Sequence, residues 1–461
     1  MSEKLRPLVA DFSKGFLEKY STSRSHLGLY NNVAVTAFYA GVVDQNLKTT
    51  IYNALTSVIS QHPILSAVPV EEGTQNPYFI RLPDIDITRV TTFAERKCRY
   101  DGEVQDVELD ELVQAQHNQP FQHHKPEIPF WRLIIYINPW HANELTVLFV
   151  FHHSLADTGS GVIFHECFAA ALSKPSANAT TPNTLIRTLN APILPPLEAL
   201  HPLPVSEAFA QKERDGLTFL DVPEHVWSAG KTRVPMIARF RSVAITAEDT
   251  QNFVRTCKEH STSVTAALQT ILASTLFNLL PEHYTMLVCD GAVSLRRWLK
   301  APVNQTSMGC WVGSFSETYK RKRFSWDEAR RSGQTIELAV SKGGADMSVG
   351  CFHFIEDFNG YLSAKIGKKR SISFELSNVG AIRRYAAYRS WQLGRVLFSQ
   401  SANAVGGAFK VSVATGNDMR LNLGFSWQED ILEEPFMNHV IQDVLFQIIE
   451  LGNAHDRQQP C

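Results

Sequence analysis

Between Leu145 and Gly161 the chain reads LTVLFVFHHSLADTGSG: an uncharged run that ends in two histidines, with an aspartate four residues after the second. An uninterrupted run of this kind, rich in Val and Phe, reads as a strand buried on both faces. Such a strand obliges the chain to supply sheet neighbours and covering helices. Ser160 to Leu172 (SGVIFHECFAAAL) supplies a helix, with Asp157, Thr158 or Ser160 available as its N-cap. His152, His153 and Asp157 therefore fall on a strand-to-helix connection, where side chains can face a cleft.

The flanking segments follow the same grammar. Phe130 to Ile137 (FWRLIIYI) is a second strand, separated from the first by the turn signal Asn138-Pro139-Trp140-His141, so the two form a hairpin. Asn32 to Ala40 reads as a strand and Lys48 to Ser60 as a helix with Ile51, Leu55, Val58 and Ile59 on one face. Leu5, Leu8, Val9, Phe12 and Phe16 recur at helical intervals and predict an amphipathic opening helix docked on the core. From Lys174 to about Pro235 repeated prolines break any periodicity, which marks a crossover.

Beyond it come a strand (Ala238 to Ile245), two helices (Ala247 to His260, Thr262 to Leu279) and a strand from Tyr284 to Val293. Further strands are expected at Ile372 to Leu376, Gln392 to Ser399, Phe409 to Ala414 and Arg420 to Phe425, with a closing helix at Pro435 to Leu451. The expectation is an α/β (α+β) protein of two halves, residues 1–180 and 236–461, joined by a crossover over 181–235, each half a mixed sheet with flanking helices. At 461 residues the chain is long enough for a core in each half.

Composition narrows the partners. A formal net charge of −2 gives no electrostatic reason to expect nucleic acid. The seven cysteines are scattered without a Cys-x-x-Cys pair, and no run approaches the roughly 18 apolar residues that span a bilayer. MSEKLRPLVADFSKGF lacks the apolar core of a signal peptide. A cytoplasmic monomer without a membrane span is expected, with the sequon residues Asn178 and Asn304 unmodified.

Histidine, three residues, aspartate occurs three times, at His153/Asp157, His353/Asp357 and His439/Asp443, so the spacing alone selects nothing. Only the first follows a buried strand and carries a doubled histidine. Asp157-Thr158-Gly159-Ser160 also spells an aspartic-protease signature, but that chemistry needs two carboxylates sharing a proton and no second copy occurs. Neither a Gly-x-Ser-x-Gly elbow nor a phosphate-binding loop is found. Zinc on His123, His124, His152 and His153 is disfavoured, because adjacent residues on extended backbone point apart. Two readings stay open: His153 as a general base, or a satisfied structural histidine beside a helix-capping Asp157.

The doubled histidine with Asp157 resembles the HHxxxDG motif of the CoA-dependent acyltransferase superfamily, which includes BAHD acyltransferases, chloramphenicol acetyltransferase and condensation domains. His62-Pro63-Ile64-Leu65, Val293 to Leu299 (VSLRRWL), Met308-Gly309-Cys310, Ser377-Asn378-Val379-Gly380 and Leu423 to Trp427 (LGFSW) extend the likeness along the chain, most nearly toward the fungal alcohol acetyltransferases. Thr158 departs from the family's glycine, and the BAHD Asp-Phe-Gly-Trp-Gly signature is not present.

The resemblance implies two chloramphenicol-acetyltransferase-like halves with an active-site tunnel between them. It implies O-acylation of an alcohol from acetyl-CoA or another acyl-CoA, with no permanently bound cofactor and no metal. His153 would be the base, with His152, Asp157 and Arg296 as structural members of the motif and Arg296 as Asp157's ion-pair partner. Trp427, Ser377 and Asn378 are candidates for lining the substrate site. The alternatives are a condensation-type enzyme working on carrier-bound substrates, or a pocket protein on the same fold that has lost CoA chemistry.

Overall fold

The run at 145–151 is a strand enclosed by neighbours on both sides. In the computed structural model, which describes residues 15–41, 46–102, 104–121, 127–141, 143–174, 183–218, 222–382 and 390–454, the chain opens with helix α1 (Phe16–His26), strand β1 (Val33–Gly41) and helix α2 (Leu47–Gln61). There follow β2 (Thr91–Glu95), α3 (Val107–His117), the hairpin of β3 (Trp131–Ile137) and β4 (Glu144–Phe151), and α4 (Thr158–Leu172). β4 lies between β1 and β3, antiparallel to both, and every residue from Leu145 to Phe151 is buried. Double burial is why this strand does not alternate. Most of the predicted opening helix, Leu5 to Phe12, lies outside the described residues; Phe16 begins α1.

The crossover carries α5 (Glu207–Thr218). The second half carries β5 (Ala238–Ile245), α6 (Ala247–Glu259), α7 (Val264–Leu279), β6 (Met286–Ser294), β7 (Val312–Lys320) and α8 (Trp326–Ser341). It ends with β8 (Phe374–Ala381), β9 (Trp391–Gln400), β10 (Phe409–Thr415), β11 (Leu421–Gln428) and α9 (Glu434–Gly452). Six strands form one sheet in the order β7-β6-β8-β10-β11-β5, and its helix-side core is built from residues such as Phe253, Leu268, Phe409 and Met437. The fold class is mixed α/β in two lobes.

One strand is exchanged between the lobes. The other sheet runs β9-β1-β4-β3-β2, so residues 391–400 leave the second half to pair antiparallel with β1. From there Arg395 Nε donates to Asn422 Oδ1 at 2.6 Å and Gln400 Nε2 to Ser412 Oγ at 3.2 Å, fastening one sheet to the other. Because β1 is antiparallel to both neighbours, Val33 lies opposite Phe151 and opposite Gln400. The start of β1 and the ends of β4 and β9 therefore meet at one edge, and His153 follows two residues after Phe151.

Helices α3, α5 and α8 and strands β2 and β7 were not predicted. α8 is amphipathic, with Trp326, Ala329, Gly333, Ile336 and Val340 at helical intervals, but it fully buries only Ala329, Ser332 and Gly333, and sequence reasoning missed this stripe. α5 sits inside the segment read as a structureless crossover, where flanking prolines mask it. β8 and β11 run further than their apolar residues suggested, so Ser377, Asn378 and Trp427 lie within strands.

Candidate active site

Successive residues on extended backbone point to opposite sides, and the two histidines do. His152 is fully buried between Phe121 and Phe130, at ring-centroid distances of 6.2 and 5.6 Å, and its Nδ1 accepts the Ser154 amide at 3.1 Å. His153 turns toward the second lobe. Its Nδ1 lies 3.6 Å from Cys310 Sγ and its ring centroid 5.8 Å from that of Tyr30. Burial pushes its pKa down to about 4, helped by the positive charges of Arg24 and Lys410 and opposed by a hydrogen bond to its own backbone and by Asp157. A cavity of about 240 Å³ adjoins this point, walled from both lobes by Glu18, Ser154, Leu155, Pro195, Met308 and Cys310 among others.

Asp157 faces away from the imidazole. It caps α4, its Oδ1 accepting the Ser160 amide at 2.8 Å. Arg296 closes on it as a fork, Nη2 to Oδ1 at 2.7 Å and Nε to Oδ2 at 3.2 Å, while the Trp311 amide reaches Oδ2 at 3.1 Å. Burial alone would raise this carboxyl; the Arg296 charge and the amide hydrogen bonds hold it below the usual carboxylate range. Ser160 Oγ accepts from Arg296 Nη2 and from the Gly309 amide, leaving its one proton for Asp157 Oδ1 or the Gly309 carbonyl. Every partner here crosses from one lobe to the other or fixes the turn, so the cluster is a clamp.

Thr158 stands at the first helical position after the cap, where a side chain is tolerated. The crowded place is Gly159, where a Cβ would lie 3.0 Å from Arg296 Nε. The departure at Thr158 therefore leaves the clamp intact.

The three substrate-lining candidates separate. Trp427 belongs to the helix-side core of the six-stranded sheet and is 1 % exposed, so its assignment to the substrate site is corrected: strand alternation sends it to the covered face. Asn378 is tied to α7 through Thr265 Oγ1 at 3.0 Å and to the Gly380 amide at 2.8 Å, which gives it a structural task. Ser377 shares its face of β8 with Glu375 and remains on the interlobe side. The other two His-x-x-x-Asp pairs stay outside: His353 bonds the Gly350 carbonyl, and Asp443 accepts from Thr275. Among the described residues no three His, Cys, Asp or Glu side chains are grouped to hold a metal ion. No described helix is long and apolar enough to cross a membrane.

The interlobe face also carries residues that sequence reasoning missed. Strand register aligns Ser316, Asp290, Glu375, Lys410 and Ser426 across five adjacent strands. Lys410 Nζ meets Glu375 Oε2 at 2.8 Å and stands 4.8 Å from the Tyr30 ring centroid, while Tyr30 Oη donates to Gln400 Oε1 at 3.1 Å. Burial lifts the Asp290 carboxyl to about 7. Only the period-2 alternation of these strands could have marked the row, and each strand by itself reads as ordinary core. Cys310 lies in the Met308-Gly309-Cys310 block already singled out.

Comparison with known proteins agrees with this architecture. Residues 96–448 match the family model for alcohol acetyltransferase. The chain is 36% identical to the probable alcohol acetyltransferase crmB of Aspergillus fumigatus, over 94% of this chain and 98% of that protein. It is 24% identical to the probable alcohol acetyltransferase FCK4 of Fusarium pseudograminearum, over 96% and 95%. In structure it resembles the trichothecene 15-O-acetyltransferase TRI3 of Fusarium sporotrichioides, with a TM-score of 0.72 at 11% identity, covering 98% of this chain and all of that one. The first condensation domain of a calcium-dependent antibiotic synthetase shares the fold at a TM-score of 0.64 and 13% identity, over 97% of each chain. With a family model matched over most of its length and a full-length relative above 30% identity, the chain belongs to the alcohol acetyltransferase family.

Proposed function

We propose that the protein transfers the acyl group of an acyl-CoA, acetyl-CoA first among them, to the hydroxyl of a small-molecule alcohol, with His153 as general base. The observation that carries this reading is the position of the imidazole: its Nδ1 lies 3.6 Å from the sulfur of Cys310, which lines the cavity between the lobes, and burial favours the neutral ring. Nε2 takes the hydroxyl proton as the alcohol oxygen attacks the thioester carbonyl. The tetrahedral intermediate then collapses with cleavage of the C–S bond, and the imidazolium returns the proton to the CoA thiolate. Products are an ester and free CoA, and the base ends as it began.

In this scheme Asp157 and Arg296 act by holding the turn that presents His153. The relatives named as alcohol acetyltransferases, and the neighbour named as a 15-O-acetyltransferase, support oxygen as the acylated atom and acetyl as the group. The test is a mass-spectrometric screen of acetyl-CoA and longer acyl-CoAs against panels of alcohols and amines. The expected product is an ester formed in equal amount with free CoA. Products confined to amines, or no CoA release with any acceptor, contradict the reading.

A further inference from the structure

Helix α1 buries an unusual face. Glu18, Ser21, Thr22, Ser23, Arg24 and Ser25 are all buried, and Leu17 is the one apolar residue with them. A helix docked only for core stability buries an apolar stripe; burying a guanidinium costs heavily unless its donors are paired.

Arg24 is 7 % exposed. Its Cζ lies 4.5 Å from the Tyr20 ring centroid and 4.4 Å from that of Tyr30, so aromatic faces solvate the charge. Its N–H groups are another matter. Among the described residues they have no hydrogen-bond or ion-pair partner, and Nε is fully enclosed without one. The other buried arginines all have partners: Arg81 on the Leu189 carbonyl, Arg96 on Asp106, Arg370 on Gln428 and Arg395 on Asn422. The nearby carboxylate is already committed, since Glu375 receives Lys410 on one oxygen and the Gly407 amide on the other. Lys410 and Glu375 match each other, and Glu18, buried on the same helix, makes no hydrogen bond or ion pair to the Arg24 guanidinium among the described residues.

The guanidinium lies within about 10 Å of the His153 imidazole, because both flank the Tyr30 ring. The phosphates of CoA are separated from its thioester by the whole pantetheine arm, so an arginine this close to the base lies nearer the reacting groups than the CoA phosphates would. A planar fork whose N–H donors have no partner among the described residues suits a carboxylate, which it can hold through two hydrogen bonds. We propose that Arg24, flanked by Tyr20 and Tyr30, is the anchor of a carboxylate-binding subsite beside His153, and that one of the two substrates carries its carboxylate there. The inference rests on the acyl-transfer reading above and sharpens it. The carboxylate belongs either to a hydroxy-acid acceptor or to a dicarboxylic acyl group such as malonyl.

The test compares wild type with Arg24→Gln and Arg24→Lys in the full chain, using two arms. In one, hydroxy acids and their methyl esters of matched skeleton compete for acetyl-CoA; in the other, malonyl-CoA and acetyl-CoA compete for one neutral alcohol. We expect the charged member of one arm to be preferred at least about tenfold in kcat/KM, with that ratio falling to near unity in Arg24→Gln and part-way in Arg24→Lys. The arm that responds identifies the source of the carboxylate. No preference in either arm, or a preference that survives Arg24→Gln in folded protein, overturns the proposal. Should Arg24→Gln fail to fold, Arg24→Lys decides, since it keeps the charge and loses the fork. If no acceptor is acylated, the acyl-transfer reading falls by itself. The subsite is then judged by isothermal titration of the same acids and esters: acid-selective binding lost on substitution upholds it, and equal or absent binding overturns it.

Discussion

Asp157 spends both carboxylate oxygens on Arg296, the Ser160 amide and the Trp311 amide, so its replacement leaves a partly buried guanidinium without its counter-charge. Removing one partner of such a pair costs about 3–5 kcal/mol. Asp157→Asn should lose stability of that order in urea unfolding, and a doubly substituted Asp157→Asn, Arg296→Met protein should lose less than the two single changes added together. A fully stable but inactive Asp157→Asn would instead give Asp157 a direct chemical part. His153 makes a second prediction. A general base works unprotonated, and burial lowers this imidazole from 6.5 to about 4, so kcat/KM should fall only as pH drops through about 4. An acid limb near 6.5 in the pH profile would contradict the buried, neutral ring. At this scale the sequence made His153 and Asp157 legible through their setting, while Arg24 and Lys410 passed unnoticed because isolated cations ordinarily read as solvated surface.

At the scale of elements, the turn that carries His153 depends on how closely α4 approaches the sheet. A Cβ on Gly161 would lie 2.5 Å from Val35 Cγ2 and 3.0 Å from Phe151 Cε1, with no room on either side. Gly161→Ala should therefore push α4 away from β1 and β4, costing about 1–3 kcal/mol by overpacking, and should displace Ser160 within the clamp. Melting temperature and turnover are expected to fall together; a variant with wild-type melting would show that the helix yields without cost. Elements with apolar faces, such as β4, β5 and α9, could be read from the sequence almost to the residue. α8 was missed although Trp326, Ala329, Gly333, Ile336 and Val340 recur at helical intervals, because small and polar residues dilute that stripe. Nor could the exchange of β9 be read: its local pattern announces a strand, but which sheet receives it depends on partners far away in sequence.

The molecule as a whole buries several neutral histidines. Burial lowers His62, His117, His153 and His165 to about 4, 3, 4 and 4 from 6.5. Below pH 6.5 the unfolded chain takes up protons that the folded one refuses, so their stabilising effect is complete above 6.5 and is lost as pH falls toward 4. Asp110, Asp290, Glu213 and Asp418, all raised by burial, act in the opposite sense, but only Asp110 and Asp290 are shifted far, to about 6 and 7, against four histidines. Melting temperature should thus decline between pH 6.5 and 4.5, and a flat or rising profile would contradict the burial of these rings. All of this architecture converges on one imidazole held between two lobes by a clamp that does not touch it. The most direct measurement is the turnover of His153→Ala with an acyl-CoA and an accepted alcohol, beside its melting curve. The account predicts a loss of at least about 100-fold with folding preserved, and turnover near the wild-type rate would contradict it.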